Sequence, residues 1–353
     1  MSNNRLSYYP GFDAVKFAMA CVVVACHTLF LFDYGNGSID TVIEVMANAP
    51  VPYFFVVSGF LCYRGMGGGI DRAESGTGGK SVSVAKRMLT YYFLWTLLYL
   101  PLTIFGSILS GDGFLKSLLL FSQGTLFVGE NYFSWPLWYL LAAAVAFALI
   151  GCLQRRGTAP LRILAIAGFF LLMGFGMEAV RSFSGAPVFL SAPVELYYRV
   201  FGGVRNGLFE GFFYVALGMC LGLSEERVRS IGTLAWVILA CAGFAGCFLW
   251  SPDAHLPFCV ALSVGVFGLS MRVPSGRRFP LARSASTAVY LLHMYFVVLF
   301  AYGFCGAAVV NFPAAGVPAV PLFLFVLVSS VLAALLVRSL GNRIPSVRRA
   351  FMC

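Results

Sequence analysis

The 353-residue sequence predicts an all-α membrane protein, a single polytopic domain of about ten transmembrane helices. Three observations carry that expectation. Hydrophobic residues make up 60% of the chain and charged ones 11%, with a mean hydropathy of +0.87, which leaves too little polar surface to coat a water-soluble globule. Ten apolar runs have the roughly 17–25 residues that a hydrocarbon core of about 30 Å demands. Basic residues fall in alternate connections, as topology requires.

The runs lie at 12–32, 49–65, 88–108, 134–153, 161–180, 206–223, 231–250, 254–271, 284–305 and 317–339. Pro50 and Pro52 set the start of the second, because proline suits the first turn of a helix. The longest connections, 66–87, 109–133 and 181–205, are too short for a soluble domain, so residues 1–353 read as one membrane domain. With both termini on the cytoplasmic side, nineteen Lys and Arg residues face inward and only Lys116, Arg181, Arg199 and Arg205 face outward, leaving Lys16 within a span. The net charge of +10 is thereby explained by topology, which removes nucleic acid as a partner and leaves the lipid bilayer. The ten cysteines sit mostly in apolar runs and never form a CxxC pair, so neither a zinc site nor a disulfide framework is expected. No signal-peptide arrangement is expected at the first apolar run, which is of full span length and carries a charge.

The first run, Phe12 to Phe32, contains two costly residues, Lys16 and His27. Eleven helical positions come to about 20° past three whole turns and about 16 Å of rise, so both share one face. Such groups must face protein or a wet cavity rather than lipid. Asp13, three residues before Lys16, is its expected ion-pair partner. In the second run Ser58 and Gly59 make a small-residue notch where another helix can approach closely.

Several of these segments, in order, resemble the motifs of the integral-membrane acyltransferase family three, whose members O-acylate bacterial surface glycans. Asp13-Ala-Val-Lys16 with His27 resembles the family's opening DGLR…H motif, and Phe54-Phe55-Val-Val-Ser58-Gly59-Phe60 its FFxxSGF signature. Lys86-Arg87 with Tyr92 and Trp95 resembles the entrance to the third helix, and Trp135-Pro-Leu-Trp138-Tyr139 the tryptophan motif of the fourth. Arg205-Asn206-Gly207 with Gly218 resembles the sixth, and Ser286 through Tyr290-Leu-Leu-His293 the SxxxYLxH segment. Two departures stand out: Lys16 replaces the usual Arg, keeping charge without the bidentate fork, and the RxxR motif of the third helix is incomplete around Arg87. The chain holds no counterpart of the large hydrolase-like domain of some members, so an acceptor is expected to reach the membrane domain itself or to come through a partner.

The resemblance implies transfer of an acetyl or other short acyl group from cytoplasmic acyl-CoA, with acetyl-CoA the first choice, to a hydroxyl of a glycan or other cell-envelope acceptor. Acyl-CoA is then a substrate, and neither a bound cofactor nor a metal is implied. Lys16, Lys86 and Arg87 are candidates for holding CoA phosphates, and His27 for the general base, since imidazole titrates near working pH. An acyl-imidazole on His27 is the alternative. Ser58, Trp138, Arg205, Asn206, Tyr290 and His293 complete the candidate substrate site. Each has a plainer reading: an interfacial histidine, topology-setting cations, a packing serine, an aromatic belt around Trp135, Trp138 and Tyr139, a structural His293, and an Arg205 neutralised by Glu210. Two other functions remain open at this stage, a secondary transporter and a non-catalytic acyl-binding membrane partner. No inverted repeat supports the first and the intact His27 speaks against the second. The sequence leaves the acceptor and the oligomeric state open.

Overall fold

The computed structural model describes residues 8–29, 37–65, 77–251, 253, 255–274, 276–306 and 317–344. Every regular element among them is a helix. Each predicted run is met by helix, but with shifted ends. The first is α1, Pro10–Cys26, with Pro10 in its first turn. It stops before the expected end: His27 is its C-cap residue, its amide still donating to Val23 O and Val24 O, and positions 30–32 lie outside the described residues. The second comprises α2, Gly37–Asn48, and α3, Pro50–Tyr63, which meet at Ala49. Pro50 does open α3, yet the apolar helix begins thirteen residues earlier than its proline, at Gly37.

The third run lies within α4, Thr77–Leu109, whose 33 residues extend well beyond the apolar stretch and carry Lys80, Lys86 and Arg87 on helix rather than loop. After it come α5, Phe114–Gln123, and α6, Trp138–Arg155, the latter entered through a short tight turn at Trp135–Leu137. The fifth run is α7, Pro160–Ser182, and it is followed by α8, Val188–Phe201. A π-turn at Gly207–Gly211 leads into α9, Phe212–Leu223, and then the brief α10, Glu225–Ser230. The last four runs are α11, Thr233–Leu249, α12, Pro257–Ser270, α13, Pro280–Val298, and α14, Ala319–Arg343. The connections 109–133 and 181–205, expected as loops, instead contain α5 and α8. Their apolar stretches are too short to cross a bilayer but suit its surface, and Phe114, Leu115, Val188 and Phe189 stand exposed on them.

Six helices among the described residues are long and apolar enough to cross a membrane: Gly37–Tyr63, Gly78–Leu109, Trp135–Arg155, Pro160–Ser182, Pro280–Phe304 and Ala319–Arg343. The other four predicted spans are shorter helices, of which α9 is the shortest at 12 residues, about 18 Å of rise.

What positions the site is the packing around α3, almost all of whose side chains are buried. A Cβ added to Gly59 would lie 2.3 Å from Val215 O, and one added to Gly218 would lie 2.1 Å from Val56 O. Backbone of α3 therefore touches backbone of α9, reciprocally, with no room for a side chain on either; the notch expected at Gly59 is occupied by α9. Next to Gly59 on α3, the rings of Tyr9, Phe12, Phe60 and Phe267 interlock, with Phe12 and Phe60 5.4 and 5.0 Å from Phe267. They fasten α1 and α12 to the same helix. Tyr53 on α3 adds a hydrogen bond of 2.9 Å to Ser270 on α12.

Gly59→Val in a purified preparation should lower the thermal midpoint clearly, because overpacking costs roughly 1–3 kcal/mol or more where backbone cannot yield. Gly79→Val, at a helical glycine with open space around it, should shift it little by comparison. Equal midpoints for the two variants would show that the α3–α9 contact is not tight.

Candidate active site

A cavity of about 510 Å³ lies between α1, α3, α4, α6 and α13. On α4 it is lined by Lys80, Ser83, Val84, Arg87, Met88 and Tyr91. Those spacings of three and four residues are one stripe of a helix. Lys80 and Arg87, seven apart, stand on that stripe with Lys16 of α1 facing the same space. Lys86 is about 100° around the helix from Arg87 and is not among the lining residues. Of the expected cations, Lys16 and Arg87 are thus brought together, Lys86 is not, and Lys80 joins them. The signal for Lys80 was its seven-residue spacing from Arg87, readable only if α4 begins before residue 80. Asp13, the expected partner of Lys16, accepts a hydrogen bond from Tyr8 at 2.5 Å.

Away from the cations the lining turns apolar and aromatic. Leu61, Leu140, Phe147 and Leu291 line the cavity together with Phe54, Ser58, Tyr139 and Tyr290. Ser58 Oγ is 3.0 Å from the Tyr139 hydroxyl, so the serine is tied to the fourth predicted span as well as facing the cavity. The Tyr290 hydroxyl donates to Pro136 O at 2.8 Å, which fixes α13 against the turn that begins α6.

Beyond Tyr290 are the two histidines. The Tyr290 ring is 6.4 Å from that of His293, and His293 stacks on His27 at 5.2 Å with 22° between planes. Trp135 packs near His27, at 5.5 Å and 31°. His27 is thus held by His293 from α13 and by Trp135 from the turn before α6. His293 is wholly buried, and its Nδ1 lies 2.8 Å from Tyr290 O and 3.2 Å from Val289 O. Both neighbours are carbonyl acceptors, so Nδ1 donates and Nε2 keeps its lone pair. No hydrogen bond to Nε2 is present among the described residues.

The loop carrying Trp135 holds backbone strain. Phe133, the one non-glycine with positive φ among the described residues, sits at +60° and is fully buried, its ring 6.3 Å from Trp135 and 5.6 Å from Tyr302. A left-handed phenylalanine costs of order 1 kcal/mol or more and persists where packing over-determines it. Here that packing seats the tryptophan against His27.

Arg205 approaches from the π-turn. Its guanidinium carbon lies 5.3 Å over the Trp138 ring, and its Nε is 3.9 Å from Glu210 Oε2, with the arginine side chain 52% exposed and the glutamate side chain fully buried. Arg205 thus stands beside Glu210, whose two carboxylate oxygens are buried without a hydrogen bond among the described residues, and half the arginine stays open. Asn206 is committed locally: its Oδ1 accepts from the Leu208 and Phe209 amides and its Nδ2 donates to Tyr197 Oη at 2.6 Å and Gly203 O. It caps the turn that presents Arg205. Glu130, not anticipated from sequence, lies within electrostatic reach of Arg205, and burial pushes its carboxyl up to about 7 against the arginine's opposing pull.

A separate group, Glu178, Asp253 and His255, ties the segment before α12 to α7. His255 Nδ1 is 2.8 Å from Asp253 Oδ1 and 3.9 Å from Glu178 Oε2. The three ligating atoms lie within 4.8 Å of one another, close enough to share a cation. Gly174 leaves space for the imidazole, since a Cβ there would come within 3.1 Å of it.

The raised carboxyl of Glu130 has a pH consequence. Its folded value, about 7, exceeds the unfolded value of about 4.3, so the stability it contributes is complete below the latter and lost as pH rises through the former. The thermal midpoint should fall between pH 5 and pH 8, and less so in Glu130→Gln. An identical fall in both proteins would remove Glu130 as the cause.

A family model described as an acyltransferase domain matches residues 9–339. Among curated proteins, the chain is 27% identical over 241 residues to an amino-acid racemase of Enterococcus faecalis, a match covering 67% of this chain and 31% of that one. It is 26% identical over 301 residues to a serine/alanine racemase of Enterococcus gallinarum, covering 81% and 40%. The chain spans less than half the length of either relative. No solved structure matches. With residues 9–339 matched, nearly the whole chain, this membrane protein belongs to acyltransferase family 3.

Proposed function

We propose that the protein transfers an acetyl or similarly short acyl group from cytoplasmic acyl-CoA to a hydroxyl of a glycan or other envelope acceptor on the far side of the cytoplasmic membrane. In this reading the end bearing Lys80 and Arg87 faces the cytoplasm. The observation that carries it is a mostly apolar cavity that has three cations, Lys16, Lys80 and Arg87, and Tyr290 in its lining, with the His293 ring packed 6.4 Å from Tyr290 and the His27 ring 5.2 Å from His293. CoA has a matching division: anionic phosphates at one end, a slender pantetheine arm, and a thioester at the other.

The cations hold the phosphates, two ammonium groups acting as point charges and the guanidinium able to bond two oxygens. Ser58 and Tyr139 offer hydroxyls where the thioester arrives. His27 accepts the proton of the acceptor hydroxyl as its oxygen attacks the thioester carbonyl. The tetrahedral adduct then collapses, the C–S bond breaks, and the proton held on the imidazole neutralises the departing CoA thiolate. Stacking against His293 and packing near Trp135 fix the His27 ring for this work, which is the orienting role a carboxylate fills in other sites. Arg205, half open beyond the histidines, is placed to meet the acceptor.

Transfer of radiolabelled acetyl from acetyl-CoA to envelope material should drop by at least about 10²-fold in His27→Ala with the fold intact, the usual worth of a positioned base. In the same assay Lys80→Ala should raise the KM for acetyl-CoA about tenfold, consistent with losing a charge-assisted contact, whereas Lys86→Ala should leave it near the wild-type value. Unchanged transfer in His27→Ala would overturn the mechanism; a larger effect from Lys86 than from Lys80 would overturn the placement of the donor.

A further inference from the structure

Resting on the acyl-CoA reading above, we infer that Phe54, Tyr139 and Tyr290 form an aromatic sieve that restricts the donor to short acyl chains. The three rings come from α3, α6 and α13 and form a closed triangle. Their centroids are 5.9 Å apart for Phe54 and Tyr139, 5.8 Å for Phe54 and Tyr290, and 6.1 Å for Tyr139 and Tyr290. Interplanar angles of 64°, 85° and 74° make every pair edge-to-face, the arrangement in which the positive rim of one ring meets the negative face of the next. All three residues line the cavity, at the end remote from Lys80 and Arg87.

The triangle is anchored at each corner. Tyr139 is tied to Ser58 through its hydroxyl, Tyr290 to Pro136 O, and Phe54 is 9% exposed on a helix whose backbone is pinned to α9 by Gly59 and Gly218. A ring displaced by a long alkyl chain must break a hydrogen bond or push against backbone that has no free space. Past Tyr290 the next ring is His293, and past it His27 with Trp135 beside it. An alkyl chain driven beyond the rings would meet the polar edges of two imidazoles. An acetyl methyl needs no such room, because it ends at the rings while its carbonyl lies beside the Ser58 and Tyr139 hydroxyls. The sieve therefore acts on the length of the acyl group and not on the CoA end, which the cations hold separately.

Displacement of radiolabelled acetyl-CoA from purified full-length protein in lipid nanodiscs, by CoA, acetyl-CoA, butyryl-CoA and octanoyl-CoA, tests this. Acetyl-CoA and CoA should compete well, butyryl-CoA less, and octanoyl-CoA at least tenfold more weakly than acetyl-CoA. Phe54→Ala should cut the octanoyl-to-acetyl difference to about threefold or less, and Phe54→Leu, which keeps a bulky core residue and so protects the fold, should reduce it part of the way. Octanoyl-CoA binding as tightly as acetyl-CoA in wild type, or a discrimination unchanged in both variants, would overturn the sieve while leaving acyl-CoA as donor. Failure of CoA itself to bind would instead overturn the donor assignment, and the sieve with it.

Discussion

The reciprocal contact of α3 with α9 through Gly59 and Gly218 is the constraint on which the rest of the molecule depends. It brings backbone against backbone, so α3 has one possible depth and rotation relative to α9. α3 in turn carries Phe54, Ser58, Leu61 and Cys62 on its cavity side, and Phe60 in the aromatic cluster that secures α1 and α12. The distance between Lys16 and His27 is set within α1, but what each of them faces is set by where α3 stands. A rigid central helix is what allows polar groups to be kept in an apolar bundle without facing lipid, where they would cost several kcal/mol.

Two separate solutions to that cost appear in the structure. At one end the cations share a cavity, where water or an anionic ligand can satisfy them. At the other, polar groups lie against one another: Arg205 lies over Trp138 and beside Glu210, Asn206 closes its own turn, His293 donates to the backbone of its own helix, and the two imidazoles stack. Among the described residues at this end, His293 Nε2 and both carboxylate oxygens of Glu210 are buried without a hydrogen bond, and half of Arg205 stays open. The strained Phe133 belongs to this economy, because its left-handed turn is what brings Trp135 to His27.

The helical class was readable from composition, and six of the ten expected runs are met by helices long and apolar enough to cross a membrane, because hydrophobic exclusion acts over twenty residues at a time. The ends were not. Polar residues do not stop a helix, so α4 continues well past the apolar run and its extra turns carry Lys80. That missed start is why Lys86 was expected in the site and Lys80 was not: in a loop the two are equivalent, on a helix they face different ways. α1 closes at Cys26, six residues before the apolar run does, which places His27 at a helix end rather than within one. The connecting segments around α5 and α8 looked like loops because they are too short to span, a test that surface helices fail by nature. His27, Ser58, Tyr290 and His293 were legible as motif residues, but their grouping was not. The stacking of His27 on His293 joins positions 266 residues apart, and no local pattern encodes it. Glu130 carried no motif at all, and only burial near Arg205 gives it a perturbed carboxyl.

The central claim is that one continuous path joins a phosphate-holding end to His27. It is tested most directly by a cryo-EM structure of the protein with a non-hydrolysable thioether analogue of acetyl-CoA. Phosphate density is expected among Lys16, Lys80 and Arg87, with the acyl end beside Ser58, Tyr139 and Tyr290 and pointing toward His27. Phosphate density at Arg205 or outside the cavity between α1, α3, α4, α6 and α13 would contradict it.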